Sequence, residues 1–380
     1  MKKEKKMKLL IITQKVDQND PILGFFCRWV EEFAKHCEKI TVICLQKGEY
    51  NLPENVRVYS LGKELAEKGR SLRRSEATGK GATLKEQARE NPLTQKILYV
   101  TRFYRFIWRE RKNYDAVFVH MNPIYVILGG LFWKVAGKKI FLWYTHKAVN
   151  RKLKIAEKLV DKIFTASKES FRLPSKKVEV TGHGIDADKF SIFNFQFSNK
   201  KKDNINRKFT IITAGRISEV KNLHLLIDAA EILKNKNFNF EIKIAGAPIL
   251  ESDKIYFEKL KEKIKEKKLY GIIDFVGSVP NSNIAELYQG GDLFINLSDT
   301  GSMDKAILEA MACGLKILTS NEAFKIILPI ENFTNNEPSM IAEKIEKLAK
   351  HNSDTDSNLA EYVAKNHDLG SLVEKITNYF

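Results

Sequence analysis

Short, densely apolar runs alternate along this chain with longer stretches in which apolar residues recur every three or four positions. That alternation predicts strands separated by helices. Residues 8–14 (KLLIITQ), 39–45 (KITVICL) and 56–61 read as strands, and a helix between the first two carries Trp29, Val30 and Phe33 on one face. Strands follow at 116–121 (AVFVHM) and 139–146 (KIFLWYTH), separated by an apolar helix at 123–135, and then at 162–167 and 177–186. Strand, helix, strand order of this kind points to a parallel sheet with crossover helices. After 188 the chain turns polar and basic (FNFQFSNKKKDNINRK), which predicts a linker over 191–208. The pattern then restarts with strands at 209–216, 240–246, 273–277 and 293–297, a helix burying Leu225, Leu226, Ala229, Ala230 and Leu233, and later helices near 340–350 and 357–365. Two α/β domains result, residues 1–190 and 209–368.

Two stretches of the first half stand apart. Residues 63–92 are highly charged, contain Gly79, Gly81 and Pro92, and read as a partly helical excursion from the sheet. Residues 97–112 (ILYVTRFYRFIWRERK) interleave Tyr99, Phe103, Tyr104, Phe106 and Trp108 with Arg102, Arg105 and Arg109. One reading is a sheet-packing helix with solvated arginines. The other is an interfacial helix that sets aromatics and arginines against anionic lipid headgroups.

Candidate chemistry concentrates in residues 293–320. An apolar strand runs into the polar turn Ser298-Asp299-Thr300-Gly301-Ser302, which holds several N-cap residues, and a helix starts at Lys305. Gly314 suits the helix stop, and Ile317-Leu318 begin another strand. Such a unit gathers backbone N–H groups and the positive end of a helix at one spot, which suits a phosphate. Glu309 sits two turns in, able to accept from hydroxyls of the same ligand, although Lys305 and Glu309 at i, i+4 also read as a plain surface pair. Upstream, Ala214-Gly215-Arg216 ends a strand and Lys221 precedes a helix, so two cations stand where they can neutralise a diphosphate. His120 and His146 close two strands of the first half, at the edge that faces the ligand crevice in doubly wound sheets.

The string LEAMACG at 308–314, the short strand after it, and Gly215-Arg216 and Lys221 before it resemble the family 4 glycosyltransferases of the GT-B fold. The resemblance covers nearly the whole chain. It implies an α/β architecture of two Rossmann-like doubly wound parallel-sheet domains facing a central cleft, with residues 369–380 returning as a helix onto the first domain. It implies a retaining enzyme that moves a sugar from a nucleotide-diphosphate sugar, its co-substrate, to an acceptor. By position, Arg216 and Lys221 would hold the diphosphate, Glu309 would orient the ribose, and His146 would stand beside the reacting sugar. Gly215 and the turn Gly301, Ser302, Met303 and Asp304 would surround the sugar and pyrophosphate, and Ser278 and Val279 would wall the base. Gly24 falls where the family has a glycine-rich loop, and His183, in Gly182-His183-Gly184, where it has an Asn-Gly at the crevice. Of the family's two glutamates the second is Glu309, and the first position is Gly301. No metal is expected, because Arg, Lys and a helix end supply the positive charge and no Asp-x-Asp stands near this site.

Bulk composition narrows the partners. At 380 residues the chain exceeds a typical single domain, and 43% hydrophobic residues suffice for two cores. Four cysteines (Cys27, Cys37, Cys44, Cys313) show no ligand spacing and lie in apolar contexts, so they read as buried thiols of a reducing compartment. The longest apolar run, 124–133, is half a membrane span, and the basic start is followed by too short an apolar core for a signal peptide. A cytoplasmic protein, at most peripheral on the inner membrane face, is the expectation. The net charge of +17 is unevenly placed: 40 Lys and Arg oppose 21 Asp and Glu through residue 200, and 24 oppose 26 beyond it. A basic acceptor domain predicts an anionic membrane surface and a lipid-linked or membrane-borne saccharide acceptor. No recognisable nucleic-acid motif is present. Two competing readings are a GT-B nucleotide-sugar epimerase, which has no use for a basic acceptor face, and a catalytically lapsed GT-B binding subunit.

Overall fold

The computed structural model describes residues 6–65, 67, 91–191, 207–298, 301–350 and 357–380. Most of the charged stretch 63–92, most of the linker 191–208, and Asp299 and Thr300 of the turn lie outside the described residues. The first sheet joins β1 (Lys8–Val16), β2 (Lys39–Lys47), β3 (Val56–Ser60), β4 (Ala116–His120), β5 (Lys139–Trp143), β6 (Lys162–Thr165) and β7 (Val178–Val180). All its pairings are parallel, in the order β3-β2-β1-β4-β5-β6-β7. Its crossovers include α1 (Phe25–His36), α2 (Pro92–Arg109), α3 (Pro123–Val135) and α4 (Arg151–Leu159); the short α5 (Ala187–Phe190) that follows β7 buries Phe190 against Tyr288 in the core of the other sheet. β4 (AVFVH) is buried at every position because helices cover both of its faces.

Local chemistry places the helix starts. Asn91, Asn122 and Asn150 each accept a backbone N–H from the first turn of α2, α3 and α4, and Pro92 and Pro123 occupy the first helical position, where the missing N–H has no partner to lose. Along β1, Leu9 and Ile11 face one core and Leu10 and Ile12 the other, the two-residue period of a strand.

The second sheet joins β8 (Phe209–Ala214), β9 (Phe240–Ala245), β10 (Ile273–Gly277), β11 (Leu293–Asn296) and β12 (Lys316–Thr319), all parallel, in the order β10-β9-β8-β11-β12. Around it lie α6 (Leu223–Asn235), α7 (Glu251–Glu266), α8 (Ile284–Gln289), α9 (Lys305–Ala312), α10 (Pro338–Lys350) and α11 (Ser357–His367). The final helix, α12 (Leu369–Thr377), leaves this group. Its Leu369, Leu372, Val373 and Ile376 lie in the core of the first sheet beside Trp29 and Phe33 of α1.

The chain therefore passes between the sheets twice, and the two passages bond to each other. Ile185 N–H donates to the His367 carbonyl at 2.7 Å, and Leu369 N–H donates to the Ile185 carbonyl at 2.9 Å. Three histidines are buried around this junction. His183 N–H donates to Nδ1 of His367 at 3.2 Å, and the His120 ring stacks on Phe26 at 4.0 Å with its Nδ1 3.2 Å from the Thr13 hydroxyl. Nδ1 of His183 and Nε2 of His367 have no hydrogen-bond partner. Burial above all pushes all three down: His120, helped by His183 and Lys305, to about 3, His183, helped by Lys305, to about 4, and His367, helped by Lys375, to about 4.

Two expectations follow. All four tryptophans (Trp29, Trp108, Trp133, Trp143) lie in the first half, so their fluorescence reports its unfolding. Leu372→Ala removes a fully buried side chain and lowers that stability by about 2–5 kcal/mol, read as an earlier urea midpoint. An unchanged midpoint would detach α12 from this core. For the histidines, the folded values lie below the unfolded value of about 6.5, so the unfolded chain binds the extra protons. Stability is then full above that pH and falls as pH drops from about 6.5 toward 4, by about 1.4 kcal/mol per pH unit for each histidine. His183→Gln shallows this slope by one histidine, and a slope unaltered by the substitution counts against its neutral burial.

Candidate active site

In the second sheet the strand order reverses between β8 and β11, and loops leaving the carboxyl ends of two such strands diverge to opposite faces and open a crevice. The crevice here is a cleft of about 460 Å³. Its walls come from the loop after β8 (Gly215, Arg216), the segment after β9 (Gly246, Ala247), Ser278 and Val279 after β10, and the first turns of α9 (Asp304, Lys305, Glu309). Pro21, Ile22 and Phe25, from the loop before α1 and its first turn, close it from the other half of the molecule. Gly246 has φ +138°, and a Cβ there would stand 1.8 Å from the Gly215 carbonyl oxygen, so the floor admits glycine alone at this position.

Positive charge gathers on one side. Arg216 is partly exposed in the cleft and is paired with Asp253, whose Oδ2 lies 3.6 Å from its Nε. Lys221 is delivered by a tight turn (Glu219–Lys221), and its Nζ lies 2.7 Å from Asp304 Oδ2. Asp304 is also the N-cap of α9: its Oδ1 accepts from Ala306 N–H, and Oδ2 accepts from Asn296 Nδ2 as well. Burial works to raise the Asp304 carboxyl, but the charge and hydrogen bond of Lys221, with Asn296 and Ala306, outweigh it and hold the group below its ordinary range. The helix start, Lys221 and Arg216 thus face one region.

Glu309 is buried about one turn into α9 and reaches the cleft. Its Oε1 pairs with Lys305 Nζ at 3.0 Å, and the Tyr288 hydroxyl donates to Oε2 at 3.4 Å. The i, i+4 pair foreseen from spacing exists, but inside the cleft. Lys305 also places its ammonium 3.8 Å from the centroid of the Phe25 ring, a cation–π contact that joins the two halves across the opening.

Arg216, Asp304 and Glu309 meet in the cleft with Gly215, Ser278 and Val279 beside them, and Lys221 joins through Asp304. Gly24 borders an adjoining hollow of about 430 Å³ with Arg28, Asp186 and Lys189. Gly301, Ser302 and Met303 do not line the cleft. Gly301 is left-handed, with φ +60°, and a Cβ there would stand 3.4 Å from Lys147 Nζ and 3.6 Å from an Arg172 guanidinium nitrogen. The Ser302 carbonyl accepts from Asn321, and Met303 N–H donates to the Ser170 hydroxyl of the first half. His146 is exposed beyond the end of β5, its Nδ1 accepting from Ala148 N–H. His120 and His183 are buried behind Phe25, Trp29 and Trp143.

Sequence reasoning overlooked the partners. Asp253, Phe25, Tyr288 and Lys189, whose ammonium bonds Asn281 at the cleft edge, carry no motif. Asp304, rather than a residue of the turn at 298–302, is the N-cap of α9, and its pairing with Lys221 spans 83 residues. Among the described residues no group of three or more His, Cys, Asp or Glu could hold a metal ion.

The family described as glycosyl transferases group 1 matches residues 195–366. The amylovoran biosynthesis glycosyltransferase AmsK of Erwinia amylovora is 31% identical over 156 residues, 40% of this chain and 35% of the relative. The capsular polysaccharide biosynthesis glycosyltransferase CapM of Staphylococcus aureus is 25% identical over 259 residues, 63% of this chain and 64% of the relative. The chain thus spans between a third and two thirds of these relatives' own lengths. Among solved structures, Anabaena HepE in complex with UDP-glucose superposes with a TM-score of 0.72 at 15% identity, over 98% of this chain and 99% of that one. WaaG, a glycosyltransferase involved in lipopolysaccharide biosynthesis, gives a TM-score of 0.65 at 13% identity, over 98% and 99%. At these identities the likeness is one of fold, two parallel-sheet α/β domains as in GT-B glycosyltransferases. Arg216, Lys221, Asp304 and Glu309 all lie within the residues that match this family.

Proposed function

We propose that the protein is a retaining glycosyltransferase that moves a sugar from a nucleotide-diphosphate donor to a lipid-linked or membrane-surface glycan. The observation that carries this reading is the convergence of Arg216, Lys221 and the start of α9 on one side of the cleft, with the Glu309 carboxylate on the wall beside them. As the bond from the anomeric carbon to the β-phosphate oxygen breaks, negative charge builds on the departing diphosphate. Fixed cations and backbone N–H groups stabilise that charge without reorganising. The acceptor hydroxyl oxygen bonds the anomeric carbon and its proton passes to the leaving diphosphate, so protein cations alone balance the charge. Glu309 accepts from the ribose hydroxyls, Ser278 and Val279 wall the base, and His146 lies on the acceptor side. With glycine at 301, contacts to the sugar fall to other groups. Relatives named for amylovoran and capsular polysaccharide biosynthesis support this class of reaction.

The ion pairs of the cleft give the donor site a specific energetics. Lys221 is already neutralised by Asp304, so an incoming diphosphate competes with a carboxylate for the same ammonium. The diphosphate prevails through greater charge and through Arg216, whose own partner is distant at 3.6 Å.

A thermal-shift screen of UDP, GDP and ADP sugars tests the reading, since a donor at a hundred times its dissociation constant stabilises by ~2.7 kcal/mol. Arg216→Ala removes a charge-assisted hydrogen bond worth ~1.5–3 kcal/mol, so nucleoside-diphosphate affinity falls by roughly tenfold or more while affinity for the bare nucleoside is unchanged. No shift with any donor, or equal losses for nucleoside and diphosphate, sinks the assignment. A donor converted to its epimer without any acceptor would establish the epimerase instead. Asp304→Asn keeps the N-cap but withdraws the competing charge, so the diphosphate binds more tightly to this variant by calorimetry. Weaker binding would mean that Asp304 assists the ligand.

A further inference from the structure

One face of the first half has no place in the cleft chemistry. α2 turns Phe103 and Ile107 into the core, and on its other side it leaves Leu93, Ile97, Tyr104 and Trp108 in solvent. Their spacings of four, seven and four residues align them in one stripe along the helix. α3 continues the surface with Leu131, 69% exposed, and Val135, 91% exposed, again four residues apart. The two helices are joined there: the Tyr104 hydroxyl donates to the Leu128 carbonyl at 2.8 Å, and the Trp108 and Phe132 rings are 5.9 Å apart. A contiguous exposed apolar surface of this kind marks an interaction site.

Charge selects the partner. Between residues 91 and 160 there are 14 Lys and Arg against three Asp and Glu. All three carboxylates are engaged locally: Glu110 is buried on Arg109, Tyr59 and Asn113, Asp115 accepts from the Lys8 N–H, and Glu157 accepts from Ser175. Arg105 lies beside the apolar stripe and Arg111 stacks its guanidinium 4.4 Å from the Trp108 ring centroid. A second copy presenting the same face would be repelled.

We propose that α2 and the carboxyl-terminal half of α3 form a docking surface for an anionic lipid bilayer, with Tyr104 and Trp108 at headgroup depth and Arg105 and Arg111 on lipid phosphates. Aromatic rings suit that layer because one part is apolar and the other wet, and each cation near an anionic surface adds electrostatic attraction. No helix among the described residues is long and apolar enough to cross a membrane, so contact is from one side. The surface serves the transfer reading above by bringing a membrane-borne acceptor to the cleft, but vesicle binding needs no catalysis.

Flotation of the full chain with vesicles of phosphatidylcholine alone, or with phosphatidylglycerol added, reads it directly. Recovery with the anionic vesicles, reduced by salt, is the expected result. Arg105→Glu with Arg111→Glu, and separately Tyr104→Ser with Trp108→Ser, each weaken that recovery by about tenfold or more, while UDP binding in the cleft stays as in the parent chain. That retained binding also shows that the variants fold. Equal recovery with neutral and anionic vesicles, recovery with neither, or indifference to both double substitutions overturns the proposal. Loss of nucleotide binding with vesicle binding intact would instead remove the transferase reading alone.

Discussion

Lys221 and Asp304 are the pair on which the site's geometry turns. One emerges after β8 and the other opens the helix after β11, so their 2.7 Å contact fixes two loops across the point where strand order reverses. Because Asp304 caps α9, the same carboxylate orients the helix that carries Lys305 and Glu309. An ion pair at this depth contributes little net stability once desolvation is counted, but its loss on one side leaves a stranded charge. Its value lies in position: the pair holds the ammonium beside the start of α9, at the edge of the cleft.

The sheets were legible because parallel strands buried on both faces write themselves as apolar runs. AVFVH at β4 and the apolar helix of 123–135 stand as read, whereas α2 begins at Pro92, inside the stretch read as an excursion and ahead of the helix read from 97. The α/β fold with two parallel sheets follows from that rhythm and its restart at Phe209. Strand ends were harder. Residues 139–146 read as one strand, yet pairing stops at Trp143, so His146 lies outside the sheet and in solvent. Apolar pattern says where a strand is stable and is silent on where its neighbour stops pairing.

Within the site, local spacing was legible and convergence was not. Lys305 and Glu309 could be paired from four-residue spacing, but their burial depends on Phe25 and Tyr288, which come from other elements. The left-handed Gly301 has Lys147 and Arg172 of the first half beside it, a juxtaposition that no stretch of sequence contains. The arginine-aromatic helix packs on the sheet by one face only. Phe103 and Ile107 pack on the sheet, and Tyr104 and Trp108 do not.

The two chain passages between the halves are stitched together by the hydrogen bonds of Ile185 with His367 and Leu369. A single narrow ribbon of this sort resists sliding far more than twisting. Parting the lobes would therefore have to separate Lys305 from Phe25 and Met303 N–H from the Ser170 hydroxyl, the contacts that join the halves away from this ribbon.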